Sequence, residues 1–139
     1  MMASLQIKND NILMKQILIL TVLLFAAGLA KSQVKVAKLS FTKESISLGR
    51  IKQGVAANTQ FTFKNTGSLP LVLKEVQPTC GCTAADYSKT PVLPGKHGFI
   101  KISYNAATTG PFHKTITVLS NSQELTRIIT ITGEVIAEK

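Results

Sequence analysis

The two cysteines of this chain, Cys80 and Cys82, are separated by a single glycine. In an extended segment, residues two positions apart project to the same side, so both sulfur atoms can face one partner. A disulfide between them needs Cα atoms closer than about 7 Å, and Gly81, which has no Cβ, permits the bend that this requires. The spacing therefore allows three chemistries: a disulfide with a very small ring, a clamp for a soft metal ion, and a pair of free thiols.

The N-terminal segment has the three parts of a secretory signal. Lys15 supplies a positive charge, residues 17–30 form an apolar run, and Ala30 and Ser32 form a small-x-small cleavage pattern. The run has the length of a signal core and is shorter than the roughly 20 residues of a membrane-spanning helix. This length argues against the alternative, a retained membrane anchor.

We expect translation to begin at Met14, residues 1–32 to form the signal peptide, and the mature chain to begin at Gln33. No cysteine occupies the cleavage point, so a lipid anchor is not indicated there. The mature protein is expected to be periplasmic or secreted, with no stable membrane anchor. Disulfides persist in such oxidising compartments, which favours a bridged cysteine pair.

The mature domain keeps a basic charge. The whole chain carries a net charge of +9, and leaving out residues 1–32, with Lys8, Lys15, Lys31 and Asp10, reduces it to +7. The remaining lysines are scattered singly along the sequence, whereas a nucleic-acid-binding surface shows them clustered. We therefore expect no nucleic-acid partner.

No combination of residues forms an enzymatic motif. Asp86 is the only aspartate of residues 33–139, it is expected in a loop, and the glutamates are spread along the chain. Neither a nucleophile–base arrangement nor a phosphate-binding glycine loop is present in the sequence. We expect no catalytic residue and no cofactor.

A soft-metal site would have to be built on Cys80 and Cys82. Two thiolates suit copper(I) or zinc, but the mature chain has no methionine and only two histidines, His97 and His113. Each histidine lies in or beside a turn, where an exposed surface role is more common than metal ligation. The ligand set is therefore incomplete on sequence grounds.

Residues 33–139 show the alternation of apolar and polar residues that is typical of strands buried on one face. Two short apolar pairs at 39–41 and 46–48 and longer runs at 55–64, 71–76, 99–104, 113–119 and 125–135 predict about seven strands. Turns rich in glycine, proline and asparagine separate them, as at 65–68. The pattern predicts a single all-β domain, an immunoglobulin-like antiparallel sandwich.

The sequence also predicts details of this sandwich. Ile51 is out of phase with Ile46 and Leu48 across Gly49, which indicates a bulge or a crossing between sheets. Pro78 should prevent the strand before the cysteines from being a central one. In the absence of tryptophan, the core is expected to rest on aliphatic residues and on Phe41, Phe61, Phe63, Phe99, Tyr104 and Phe112.

Between Phe41 and Val135 the chain carries a series of short motifs. They are Leu48–Ile51 with Gly54, Phe61–Gly67 with Pro70–Leu71, Cys80–Thr83, Pro91, Pro94–Gly95, Gly98, Tyr104–Asn105, Gly110–Lys114, Ser120–Asn121 and Gly133–Val135. In these motifs the chain resembles the secreted bacterial proteins grouped as domain of unknown function 1573. The resemblance implies a single immunoglobulin-like sandwich, similar to the abnormal-spindle/Hydin and major-sperm-protein domains. It also implies export in Bacteroidetes and no assigned activity.

Two functions are compatible with these observations. One is a non-catalytic module for binding or assembly in the cell envelope, with a protein partner held by an exposed edge strand or a loop end. The other is a small thiol-redox or copper/zinc-handling protein centred on Cys80 and Cys82. A disulfide with so small a ring stabilises the fold little, and ease of reduction would let it exchange with other thiols. The sequence predicts no particular oligomeric state.

Overall fold

The computed structural model describes residues 2–27 and 32–138. The chain divides into two compact units, Met1–Val34 and Lys35–Lys139. The described part of the first unit contains one helix, α1 (Met2–Ala27). Within the described residues, no helix combines the length and the apolar character needed to cross a membrane. Two residues of the predicted cleavage site, Ala30 and Lys31, lie outside the described residues, so the signal peptide stays a prediction.

The second unit is a sandwich of two four-stranded sheets. The strands are β1 (Leu39–Phe41), β2 (Ser45–Lys52), β3 (Ala57–Asn65), β4 (Leu73–Pro78), β5 (Thr83–Tyr87), β6 (His97–Tyr104), β7 (Gly110–Ser120) and β8 (Thr126–Ile136). One sheet has the order β1-β3-β6-β5 and the other β2-β8-β7-β4. The predicted immunoglobulin-like sandwich is confirmed. Its pairs are antiparallel except for the parallel pair of β2 and β8.

Inward-facing side chains of both sheets form one core. The predicted aromatic core residues that are buried are Phe61, Phe63, Tyr104 and Phe112, and the buried aliphatic residues around them include Ile100 and Ile102 on β6, Ile116 and Val118 on β7, and Ile129, Ile131 and Val135 on β8. Tyr104 stacks on Phe112 with ring centroids 4.4 Å apart, which joins the two sheets directly. Removing this apolar surface from water is the main stabilising force of the domain.

Three apolar residues lie differently from the prediction. Phe99 is half-buried and is not a core residue, because the odd-numbered positions of β6 face outward. The ammonium nitrogen of Lys101 lies 5.0 Å from its ring centre on that outer face. Val55 and Leu125 are 54% and 63% exposed, because each precedes the strand to which the alternation had assigned it.

The structure has one strand more than the seven predicted, and the additional strand is β5. It follows the cysteine motif directly and pairs antiparallel with β6 along its whole length. The sequence Thr-Ala-Ala-Asp-Tyr contains little apolar alternation, because an edge strand needs little buried surface of its own. The sequence therefore predicts a loop here, and the structure shows a strand.

The predicted irregularity around Gly49 is confirmed as a bulge. The pairing of β2 with β8 shifts between Ser47 and Arg50, and Gly49 has a φ of +66°, a region that glycine enters without steric cost. Ile46 and Ile51 both pack against the core. The bulge thus returns the strand to the correct phase.

The predicted turn after β3 is built around the fully buried side chain of Asn65. Its Oδ1 accepts hydrogen bonds from the backbone N–H groups of Lys38 (3.3 Å) and Gly67 (3.0 Å). Its Nδ2 donates to the carbonyl oxygens of Leu69 (2.7 Å) and Val92 (2.8 Å). Residues 65–69, here called the Asn65 turn, are thereby tied both to the segment before β1 and to the loop before β6.

Candidate functional site

The two cysteines lie in the connection between β4 and β5, residues 79–82, here called the cysteine turn. β4 and β5 are edge strands of different sheets, so the cysteine turn crosses from one sheet to the other. Pro78 ends the edge strand β4, as its missing N–H predicted. The backbone N–H of Thr79 donates to the Thr115 carbonyl (3.1 Å), and that of Thr83 donates to the Cys80 carbonyl (3.3 Å). These two bonds hold the ends of the turn.

Cys80 and Cys82 form a close pair. Their Cα atoms are 5.3 Å apart and their sulfur atoms lie at bonding distance, which is compatible with a disulfide. Both cysteines are half-buried, while Gly81 between them is exposed. The redox state of the pair in the cell stays a prediction.

The structure corrects the role expected for Gly81. Its φ is not among the left-handed values found at Gly49, Gly54, Gly95 and Gly110. A Cβ added at Gly81 meets no atom within 4 Å. The turn therefore does not require the conformational freedom of glycine. What Gly81 contributes is an exposed position without a side chain between the two sulfur-bearing residues.

Thr83, the first residue of β5, places a hydroxyl group beside both sulfur atoms. The residue is 6% exposed, and its Oγ1 lies 3.7 Å from Cys80 Sγ and 3.9 Å from Cys82 Sγ. A hydroxyl can donate a hydrogen bond to sulfur, and such bonds are stronger when the acceptor is charged. In the sequence, Thr83 stands out only as the last residue of the Cys80–Thr83 motif. Its position next to Cys82 was the available signal for this contact.

A cavity of about 330 Å³ lies beside the cysteine turn, and Cys82 forms part of its wall. The rest of the wall comes from the end of β6, the connection to β7 and the start of β7: Tyr104, Asn105, Ala107, Thr108, Thr109, Pro111, Phe112, His113 and Lys114. The backbone N–H of Asn105 donates to the Cys82 carbonyl (3.0 Å), which attaches this wall to the turn. None of the described residues lining the cavity is acidic.

The two histidines are separated by the length of a strand. His113 lines the cavity with Cys82. His97 lies at the start of β6, and the cavity lies at the other end of that strand, where Tyr104 forms part of its wall. At about 3.3 Å per residue these ends are about 23 Å apart. Both histidines are exposed. Within the described residues, no group of three or more His, Cys, Asp or Glu side chains could hold a metal ion.

Asp86 lies in β5 and not in the predicted loop. Its carboxylate accepts a hydrogen bond from the backbone N–H of Tyr87 (2.9 Å). The backbone N–H of Ser88, just after β5, donates to the Phe99 carbonyl. In this register the backbone N–H and carbonyl groups of the even-numbered residues of β5 point toward β6, and those of the odd-numbered residues point away from it. Asp86 therefore covers one outward-pointing N–H, whereas the backbone groups of Ala85 stay open at the edge.

The outer face of the β1-β3-β6-β5 sheet contains a depression of about 490 Å³. Its lining consists of Asn58, Thr59, Gln60, Ala84, Ala85, Asp86, Lys101, Ile102 and Ser103. The small residues Ala84 and Ser103 pair across β5 and β6, which leaves space between the larger side chains. The depression reaches the open edge of β5.

Solved structures share this fold at low sequence identity. A protein of unknown function from Porphyromonas gingivalis W83 aligns with a TM-score of 0.65 and 19% identity, over 76% of this chain and 50% of its own. The ASH/PapD-like domain 7 of human CEP192 aligns with a TM-score of 0.59 and 13% identity, over 80% of this chain and 95% of its own. The YadV chaperone aligns with a TM-score of 0.52 and 15% identity, over 70% of this chain and 52% of its own. These similarities show the class of fold, an immunoglobulin-like β-sandwich.

The chain belongs to the family described as protein of unknown function DUF1573, whose model matches residues 39–135. The match covers nearly the whole sandwich and both turns described above. The chain spans only about half of the Porphyromonas gingivalis protein. No curated protein matches the sequence significantly.

Proposed function

We propose that this protein is an exported, non-catalytic immunoglobulin-like module that binds a protein partner in the bacterial cell envelope. Membership of a family without assigned activity and the fold shared with PapD-like domains support a binding role. Export rests on the secretory pattern predicted for residues 1–32.

The depression on the outer face of β3, β6 and β5 is the feature that supports this function most directly. The depression, which has a volume of about 490 Å³, adjoins the edge strand β5. There the backbone N–H and carbonyl of Ala85 point outward. Edge strands accept an added strand through such groups, while neighbouring side-chain pockets give specificity. An extended polypeptide laid along β5 would make backbone hydrogen bonds and fill the depression together.

The neighbouring edge strand, β4, is less suited to this role. Pro78 has no N–H to donate, and the Lys74 carbonyl accepts a hydrogen bond from the Tyr87 hydroxyl (3.4 Å). Both features occupy or remove groups that an added strand would need. We therefore assign the binding edge to β5.

We infer that the segment bound along β5 is acidic. The domain without residues 1–32 has a net charge of +7. The ammonium groups near β5 are those of Lys101, which shares the depression with one carboxylate, Asp86, and of Lys89, whose Nζ lies 3.3 Å from the ring centre of Tyr87. Complementary charge directs encounter and register more than it adds affinity.

Photocrosslinking in the native host tests this proposal. A photoreactive amino acid at Ala84, exposed in the depression, should yield one discrete crosslinked protein. The matched control is the same residue at Thr126, which is exposed on the opposite sheet, and it should yield none. Lys101→Glu should reduce the Ala84 crosslink several-fold, because it reverses a charge that faces the acidic segment.

The proposal fails if the Ala84 and Thr126 probes give the same products, or if neither captures a protein. If Lys101→Glu leaves the Ala84 crosslink unchanged, the result would still support binding along β5. It would contradict the inference that the bound segment is acidic. Sequencing the mature N-terminus in the same preparation tests export, for which a start at Gln33 is expected.

A second candidate function is thiol–disulfide exchange at Cys80 and Cys82. It is favoured by one observation, the cavity of about 330 Å³ that reaches Cys82. The soft-metal version of this alternative has less support, because no third ligand accompanies the pair among the described residues.

A further inference from the structure

We propose that Cys82 is the sulfur attacked in thiol exchange, that Cys80 is the leaving thiolate, and that Thr83 stabilises that thiolate. The inference rests on the second candidate function and assigns a separate role to each residue. The co-reactant is an aliphatic thiolate, carried by a small thiol or by a cysteine of an exported polypeptide.

Access distinguishes the two cysteines. Cys82 lines the cavity, whereas Cys80 is not among its lining residues. A thiolate that enters the cavity therefore lies beside Cys82 and not beside Cys80. Gly81 adds no side chain that could cover this sulfur, and a Cβ there would be in open space.

Charge at the cavity favours an incoming anion. Lys114 carries a positive charge in its wall, and none of the described lining residues is a carboxylate. Thiolate and not thiol is the attacking species in exchange. A cationic entrance raises the local concentration of such a nucleophile.

The Thr83 hydroxyl is placed to stabilise the departing sulfur. Its Oγ1 is 3.7 Å from Cys80 Sγ, and its burial removes competing water. When the bond between the cysteines breaks, the hydroxyl can donate its hydrogen to the thiolate that forms. A better-stabilised leaving thiolate departs faster.

The exchange balances without an additional oxidant. The incoming thiolate forms a bond to Cys82 Sγ, the Cys80–Cys82 bond breaks, and its electron pair stays on Cys80 as thiolate. A second thiolate then attacks the incoming sulfur of the mixed disulfide and releases Cys82 as thiolate. Two external thiols have been oxidised to one disulfide, and the protein pair has been reduced by two electrons.

Mapping the mixed disulfide tests this assignment. The oxidised full-length domain is treated with one equivalent of reduced glutathione, or of a short cysteine-containing peptide, and quenched with an alkylating maleimide. Fragmentation mass spectrometry then locates each group on either side of Gly81. The expected product carries the external thiol on Cys82 and the maleimide on Cys80.

Replacement of the hydroxyl tests the role of Thr83. Thr83→Val, which preserves the branched shape, should slow opening of the disulfide by about tenfold, the effect of losing one hydrogen bond to a charged group. Thr115→Val is the matched control. It removes a threonine hydroxyl from the half-buried position next to Thr79, and the opening rate should not change.

Each outcome separates the two hypotheses. Free thiols in the isolated protein would contradict exchange altogether, and the binding role at β5 would be unaffected. A disulfide that opens with the external thiol on Cys80, or at equal rates in Thr83→Val and wild type, would overturn the present inference and leave exchange intact. Faster opening by the peptide than by glutathione identifies a polypeptide substrate, and the reverse order identifies a small thiol.

Discussion

The Asn65 turn and the cysteine turn both carry motifs that stand out in the sequence, yet the two turns are built in opposite ways. Asn65 is fully buried, and each polar atom of its side chain has two hydrogen-bond partners. Cys80 and Cys82 are half-buried beside a cavity of about 330 Å³.

Their glycines show the same difference. A Cβ on Gly67, in the Asn65 turn, would lie 2.3 Å from the Val36 carbonyl oxygen, whereas a Cβ on Gly81 meets nothing within 4 Å. Packing therefore accounts for the composition of the Asn65 turn. It does not account for the composition of the cysteine turn, which is consistent with a chemical role there.

The largest expected effect is that of Asn65→Ala. The substitution removes four hydrogen bonds, one buried and three partly buried, so the free energy of unfolding should fall by about 4 kcal/mol. Urea denaturation measures this change. Asn58→Ala, at an exposed position of β3, is the control and should stay within about 0.5 kcal/mol of wild type.

The matched glycine pair comes next. Gly67→Ala should lower the free energy of unfolding by about 2–3 kcal/mol, because the added methyl overlaps the backbone of Val36 and Lys38. Gly81→Ala should change it by less than about 0.5 kcal/mol. Equal losses in the two variants, measured by urea denaturation, would remove the contrast between the turns.

A smaller effect is expected from removing the cysteine pair. Cys80→Ser combined with Cys82→Ser should cost only about 1–2 kcal/mol, because a ring with one intervening residue restricts the unfolded chain little. Thermal unfolding of the double variant beside disulfide-bonded wild type measures this. A loss as large as that of Asn65→Ala would make the pair a structural element and weaken the case for exchange.

Much of the fold could be predicted because several strands are buried on one face. β3, β6, β7 and β8 alternate clearly, and their inward residues form the core. β5 could not be found in this way, because its pairing with β6 defines it more than its own apolar residues do. The parallel pairing of β2 with β8 joins segments far apart in the sequence, and no local pattern encodes it.

The candidate site was predictable only in part. The spacing of Cys80 and Cys82 identified its centre, and Thr83 was adjacent. Asn105, His113 and Lys114 reach the same cavity because β5 pairs with β6 and β7 follows β6. Since β5 itself was not predicted, the sequence could not bring these residues to the cysteines.

The central claim of the comparison is that the cysteine turn carries an exchangeable disulfide that the fold does not need. Thiol alkylation of the exported, purified protein, measured by intact mass before and after mild reduction, tests this claim most directly. We predict that neither cysteine reacts before reduction, that both react after it, and that the domain stays folded throughout. Alkylation of both cysteines without reduction would contradict an exchangeable disulfide. Unfolding on mild reduction would contradict the claim that the cysteine pair contributes little to the stability of the fold.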